Sequence, residues 1–133
     1  MSRQSLVETL SAAVTAALSG APVDIFTENG PAPDFANQQR AFVLFEIAID
    51  NRHKMGLGDA PKRLTGAVQV GIFEQTGQGT GVTREVQDLL DDALSDRYIG
   101  GALVNGSQSF KAQSFSQWNP TGTQYLFSFD DID

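Results

Sequence analysis

Gly77-Gln78-Gly79-Thr80-Gly81 stands where a phosphate-binding loop would, after a β-prone run and before a helical pattern. Glycines at such a place let backbone N–H groups approach an anion at a helix N-terminus. The spacing nevertheless departs from both common phosphate motifs. A Walker loop needs GxxxxGK[ST], and no lysine follows Gly81; a dinucleotide fingerprint needs GxGxxG, and the third glycine comes one residue early. A tight strand-to-helix turn with Thr80 as N-cap accounts for the same residues. A small phosphate- or nucleotide-binding module is the alternative.

Other chemistry-bearing residues form weaker patterns. His53, the sole histidine, lies between Arg52 and Lys54 with Asp50 and Asp59 nearby. It lacks the second imidazole of a typical metal site and a buried acid to orient it, so it reads as an exposed histidine. Asp130, Asp131 and Asp133 lack the ligand spacing and turn glycine of an EF-hand loop and read as a solvated acidic tail. A carboxylate enzyme using Glu46 or Asp50 would lack any partner residue that the sequence identifies. The expectation is therefore no catalytic residue, no cofactor and no metal ligand.

Glu85, Asp88, Asp91 and Asp92 crowd one side of a helical pattern, where like charges at these spacings are mildly destabilising without partners. They suit a solvated face, or a face presented to a basic partner or to a channel carrying DNA. Sixteen acidic against nine basic residues give a net charge of −7 and a pI near 4.5, which works against a general nucleic-acid-binding surface. With no cysteine, disulfides, thiolate metal sites and cysteine nucleophiles are excluded together. The first twenty residues carry only Arg3 as a basic residue and interrupt their apolar positions, unlike a signal peptide. No apolar run approaches the ~18–20 residues of a spanning helix, since even Ala41–Ile49 is broken by Glu46. The 133 residues, 41% hydrophobic, suit one soluble domain with one core.

The elements that position these groups follow from periodicity. Leu6, Leu10, Val14, Ala17 and Leu18 recur at helical spacing over Ser2–Ser19, and Gly20 and Pro22 end that helix. Val23–Phe26 is a short β-prone run, followed by a loop over Thr27–Asn37. Ala41–Ile49, apolar at nearly every position, predicts a strand covered on both faces. Asp50–Pro61 is polar and glycine-rich and predicts a long exposed connection. Lys62–Glu74 alternates, with Leu64, Val68, Val70 and Ile72 on one side and Ala67, Gln69, Gly71 and Phe73 on the other, and should run antiparallel to the preceding strand.

A second helix takes Val82, Val86, Leu89, Leu90, Ala93 and Leu94 as its apolar stripe. Beyond Gly100-Gly101, the runs Ala102–Val104, Phe110–Trp118 and Gln124–Phe129 read as strands, punctuated by turns at Asn105-Gly106 and Asn119-Pro120-Thr121-Gly122. Tyr125, Phe127 and Phe129 share one strand face, whereas Phe110 and Phe115 point oppositely, leaving one of them for a subunit contact. The order implies an α/β (α+β) fold: a mixed, mainly antiparallel sheet of about four to five strands with two helices on one face.

In that order and spacing the residues resemble the tail-terminator-like proteins of long-tailed bacteriophages, the group of the λ minor tail protein U. The resemblance rests on the apolar strand Phe42–Ile49, Gly56–Gly58, the basic-to-glycine start Arg63–Gly66, a strand closing in Phe73, Gly77–Gly81, and the helix Val82–Leu94. It covers Ser2 to about Leu94 and departs in the glycine- and serine-rich Gly100–Ser116. The resemblance implies a virion structural protein without catalysis, made in the host cytoplasm and placed at the head-proximal end of the tail. Its subunits form a homo-oligomeric ring, usually a hexamer, that caps the tail tube, sets tail length and offers a head-attachment surface. The implied partners are further copies of the chain, the major tail tube protein and a head–tail connector or neck protein. DNA passes through the lumen without sequence-specific binding, and no membrane is involved. A neck or head–tail completion protein is the alternative within virion proteins.

On this reading Arg52, Lys54, Met55 and Leu57, in the expected loop Asn51–Asp59, contact a neighbouring subunit or the tube. Charge complementarity pairs that basic loop with the acidic helix around Asp88, Asp91 and Asp92 of the next subunit.

Overall fold

Apolar residues three and four apart make helices α1 (Arg3–Leu18) and α2 (Gly81–Leu94), and alternating or continuously apolar runs make six strands. A computed structural model describes residues 3–27, 40–54, 62–75, 81–112 and 118–131. The strands are β1 (Asp24–Thr27), β2 (Phe42–Lys54), β3 (Lys62–Gln75), β4 (Arg97–Ile99), β5 (Ala102–Phe110) and β6 (Trp118–Asp131). They form one sheet in the order β1-β2-β3-β6-β5-β4. Only β1 and β2 run parallel; the other neighbours are antiparallel. The fold is α+β, with one strand more than the upper expectation, because the three-residue β4 is too short to carry a periodic signal.

Both helices pack on one face of the sheet. Leu6, Leu10, Val14 and Leu18 of α1 and Val86, Leu90 and Leu94 of α2 join Val43, Phe45, Leu64, Val68, Val70, Ile72, Tyr125 and Phe127 in one buried cluster. Each such aliphatic side chain contributes about 1.5–3 kcal/mol on leaving water. The other face holds a smaller cluster of Phe42, Phe73 and Trp118. The Phe42 ring stacks on Phe73 at 4.8 Å and meets Trp118 edge-on at 4.8 Å. The alternation in β3 thus divides as its sequence implies, Leu64, Val68, Val70 and Ile72 to the helices and Phe73 to the opposite face.

Several local expectations give way to sheet pairing. The Asp50–Pro61 segment is not loop throughout. After a register shift between Ile49 and Asn51, β2 continues to Lys54, and β3 begins at Lys62. Its polar residues stay in the ladder because β3 and then β6 back them, with Lys62 opposite Asp131 and Arg63 opposite Asp130. Asp130 and Asp131 therefore end a strand and are not an acidic tail; Asp133 lies outside the described residues.

The Asn105-Gly106 pair makes a bulge, not a hairpin turn: β5 runs through it with a register shift between Val104 and Ser107. Asn119-Pro120-Thr121-Gly122 likewise lies inside β6. Proline is tolerated because the β5 ladder stops at Gly122, so among the described strands Pro120 pairs with β3 alone. Phe110 ends β5 and Trp118 begins β6, so these residues do not share a strand; Phe115 lies outside the described residues. The tight turn that does occur is Gly100-Gly101, with φ of 58° and 87° linking the paired Ile99 and Ala102. Positive φ at both central residues matches the twist of a two-residue hairpin.

Candidate assembly interface

The residues expected at an intersubunit contact fall on two separate parts of the fold. Arg52 and Lys54 sit on β2 at its far end, with ladder partners Leu64 and Lys62. They belong to a paired strand, not to the loop expected for them. Met55 and Leu57 lie outside the described residues, as does Thr80, the expected helix cap. His53 pairs with Arg63 across the same ladder. Together Arg52, Lys54, Lys62 and Arg63 place four of the chain's nine Lys and Arg residues at one end of the β2–β3 hairpin.

The acidic set on α2 splits. Asp88 and Asp92 are exposed with Glu85. Asp91 instead turns toward the sheet and accepts a 2.5 Å hydrogen bond from the phenol of Tyr125, whose side chain is fully buried. Burial pushes the Tyr125 phenol far above its ordinary value, and the adjacent Asp91 adds to that through the hydrogen bond and its negative charge. One turn earlier, Gln87 donates to the Thr123 hydroxyl at 3.0 Å. Asp91 and Gln87 thus hold α2 to β6, and the outward acidic face comprises Glu85, Asp88 and Asp92.

Glu74, near the end of β3 and 5% exposed, holds the N-terminus of α2. One carboxylate oxygen accepts the N–H of Val82 at 3.0 Å and the other the hydroxyl of Thr83 at 2.9 Å. A carboxylate there also suits the positive end of the helix. This bears on the glycine-rich segment before α2: a backbone donor that a bound phosphate would use is already taken by an anion. Residues 76–80 themselves lie outside the description, and Gly81 begins the helix. Among the described residues, no group of three or more His, Cys, Asp or Glu is placed to hold a metal ion. No helix among them is long and apolar enough to cross a membrane.

Two polar features stand out that periodicity does not reveal. A cleft of about 190 Å³ lies between α2 and the β5–β6 edge, lined by Gln87, Asp88, Asp91, Thr123 and the run Ser107, Gln108 and Ser109. On the helix-free face, Glu46, Gln69, Gln124 and Gln108 occupy one row across β2, β3, β6 and β5. Gln69 donates to Gln124 at 3.3 Å and Gln124 to Gln108 at 3.5 Å. The serines around the cleft escape a sequence reading because Asn105-Gly106 signals a turn there. Their signal would have been the alternation of Ser107 and Ser109 around Gln108.

Comparison with known proteins bears on the fold. No family model and no curated protein sequence matches the chain. A solved protein structure matches over 98% of this chain and 92% of its own, at a TM-score of 0.51 and 17% sequence identity. Likeness at that identity shows a shared fold and leaves function to the chemistry of the surface.

Proposed function

We propose that this chain is a structural virion protein, a ring-forming tail terminator that caps a phage tail tube, stops its growth and presents a surface to the head. The observation that carries the proposal is the placement of charged positions on the fold. Four basic positions, Arg52, Lys54, Lys62 and Arg63, share one end of the sheet with Asp130 and Asp131, and the exposed acids Glu85, Asp88 and Asp92 lie apart from them on α2. Such a pair of unlike surfaces on one chain favours head-to-tail contacts between copies, the kind that close into rings. The resemblance in motif order supports the same reading. The partners proposed are further copies of the chain, the tube protein and a connector or neck protein, with DNA passing through the lumen.

The test is electron microscopy of lysates from a phage bearing this gene with a nonsense codon early in it. Tails of irregular, excessive length are expected. Normal tails beside unattached, DNA-filled heads would instead make the protein a joining protein, and intact particles would refute a role in the tail. At the residue level, combining Arg52→Glu with Lys54→Glu should abolish assembly in sedimentation experiments while leaving the monomer's unfolding free energy within about 0.5 kcal/mol of the parent's. Unchanged assembly would remove the hairpin end from the contact.

A further inference from the structure

Each edge of the sheet is only half covered among the described residues. On the outer side of β2, β1 pairs with Phe42–Phe45, and no described strand pairs with Glu46 through Lys54. On the outer side of β5, β4 pairs with Ala102–Val104, and no described strand pairs with Ser107 through Phe110. Among the described residues the sheet is therefore four strands wide in the row Glu46–Gln69–Gln124–Gln108, with no described strand beyond either end. Unpaired strand edges are templates for another strand unless they are blocked by charge, proline or a bulge. Ser107–Phe110 carries no charge and no proline, and the bulge precedes it.

We propose that these two half-edges are the subunit contact: Ser107–Phe110 of one copy pairs antiparallel with the end of β2 in a second copy. This deepens the ring reading above and rests on it. Strand direction supports the pairing. The antiparallel ladders make β2 and β6 run one way and β3 and β5 the other. A second copy set beside β5 by its β2 edge continues that alternation, with the helices of both copies on the same side. Because the two edges are different surfaces, the contact is head-to-tail, and each copy keeps one edge free for the next.

Sterics and charge set the register. The β4 strand occupies the edge beside Ala102–Val104, so an incoming strand ends near Ser107. An antiparallel strand whose Lys54 reaches that point sets Lys54 opposite Ser107, His53 opposite Gln108 and Arg52 opposite Ser109. In the ladder Arg52 is the partner of Leu64, and Lys54 that of Lys62. Ser107 and Ser109, with Gln108 between them and Thr123 of β6, line the cleft that Asp88 and Asp91 border from α2. The alignment thus brings two basic positions of one copy to the acidic cleft of the next.

The chain has no cysteine, so thiols can be placed at will. The test combines Gln108→Cys with His53→Cys in one chain, and as a second pair Ser107→Cys with Lys54→Cys. Oxidation or a short bifunctional thiol reagent follows, with sedimentation in parallel on the uncrosslinked protein. The expected result is a covalent ladder of multimers ending in a closed species for a double variant, with each single variant remaining at one chain length. Oligomers by sedimentation without crosslinks from either pair would overturn the edge contact while leaving the ring reading standing. Ladders that never close would uphold the edge contact against the ring. A single Gln108→Cys variant that crosslinks to itself would show a symmetric contact and overturn the proposal. Monomers by both measures, at millimolar chain concentration and on added tail tubes, would overturn both.

Discussion

Removing the acceptor at Asp91 should destabilise the folded chain by more than removing the donor at Tyr125, although both changes break the same hydrogen bond. Tyr125 is fully buried, so Asp91→Ala leaves its hydroxyl without an acceptor and without water, at a cost of about 2–3 kcal/mol. Asp91 is only partly buried, so in Tyr125→Phe its carboxylate regains water and the loss is smaller, about 1–2 kcal/mol. The double variant should cost less than the sum, leaving a coupling of about 1 kcal/mol or more. For a chain of 133 residues each kcal/mol corresponds to roughly 4 °C in Tm. Urea unfolding followed by the fluorescence of Trp118, the single tryptophan, reads all three variants against Asp88→Ala and Asp92→Ala, which should stay within about 0.5 kcal/mol of the parent. The phenol adds a pH signature. Its value is raised in the folded state, so the stability it brings is complete below the ordinary phenol value of about 10 and declines as pH rises beyond it. Tyr125→Phe should flatten that alkaline decline. An Asp91→Ala variant as stable as Asp88→Ala would refute the assignment of Asp91 to the fold and return it to the outer acidic face.

Glu74→Ala removes the acceptor of both the Val82 N–H and the Thr83 hydroxyl and should cost about 2–3 kcal/mol in guanidinium unfolding. Glu74→Gln keeps one carbonyl oxygen and should recover about half of that; equal losses for the two variants would mean that negative charge at the helix end matters more than the acceptors. Gly66→Ala would drive a methyl group against the Ala48 carbonyl oxygen and the Phe127 ring, beside the register shift in β2. Its expected cost is about 2–3 kcal/mol, read as a Tm fall of roughly 10 °C, and a neutral outcome would mean that the β2–β3 ladder can shift to make room.

Much of the fold was legible in the residues. The two helices, the antiparallel β2–β3 pair and the faces of β3 follow from spacing, because a face that must leave water imposes its period on the sequence. The same reasoning misjudged Asn105-Gly106, Asn119–Gly122 and Asp50–Lys54. There the local preference for a turn or loop amounts to a fraction of a kcal/mol, while neighbouring strands offer ladder partners to most of the residues and the rest are taken up as bulges at Asp50 and Asn105-Gly106. The candidate surface was legible as residue types only. The clustering of Arg52 and Lys54 and the acids of α2 could be read directly; the helical period sets Asp91 at the flank of the buried stripe and Asp88 away from it, but says nothing of Tyr125 as the partner of Asp91.

The sequence by itself determined the α+β class, the apolar stripes and the absence of thiol chemistry, since these depend on residue type and on spacing within one element. Which carboxylate reaches Tyr125, that Glu74 reaches across to hold α2, and where β1 and β4 stop along the two sheet edges were decided only by the tertiary structure. Those properties arise between elements far apart in the chain, where pairing and desolvation outweigh local preference.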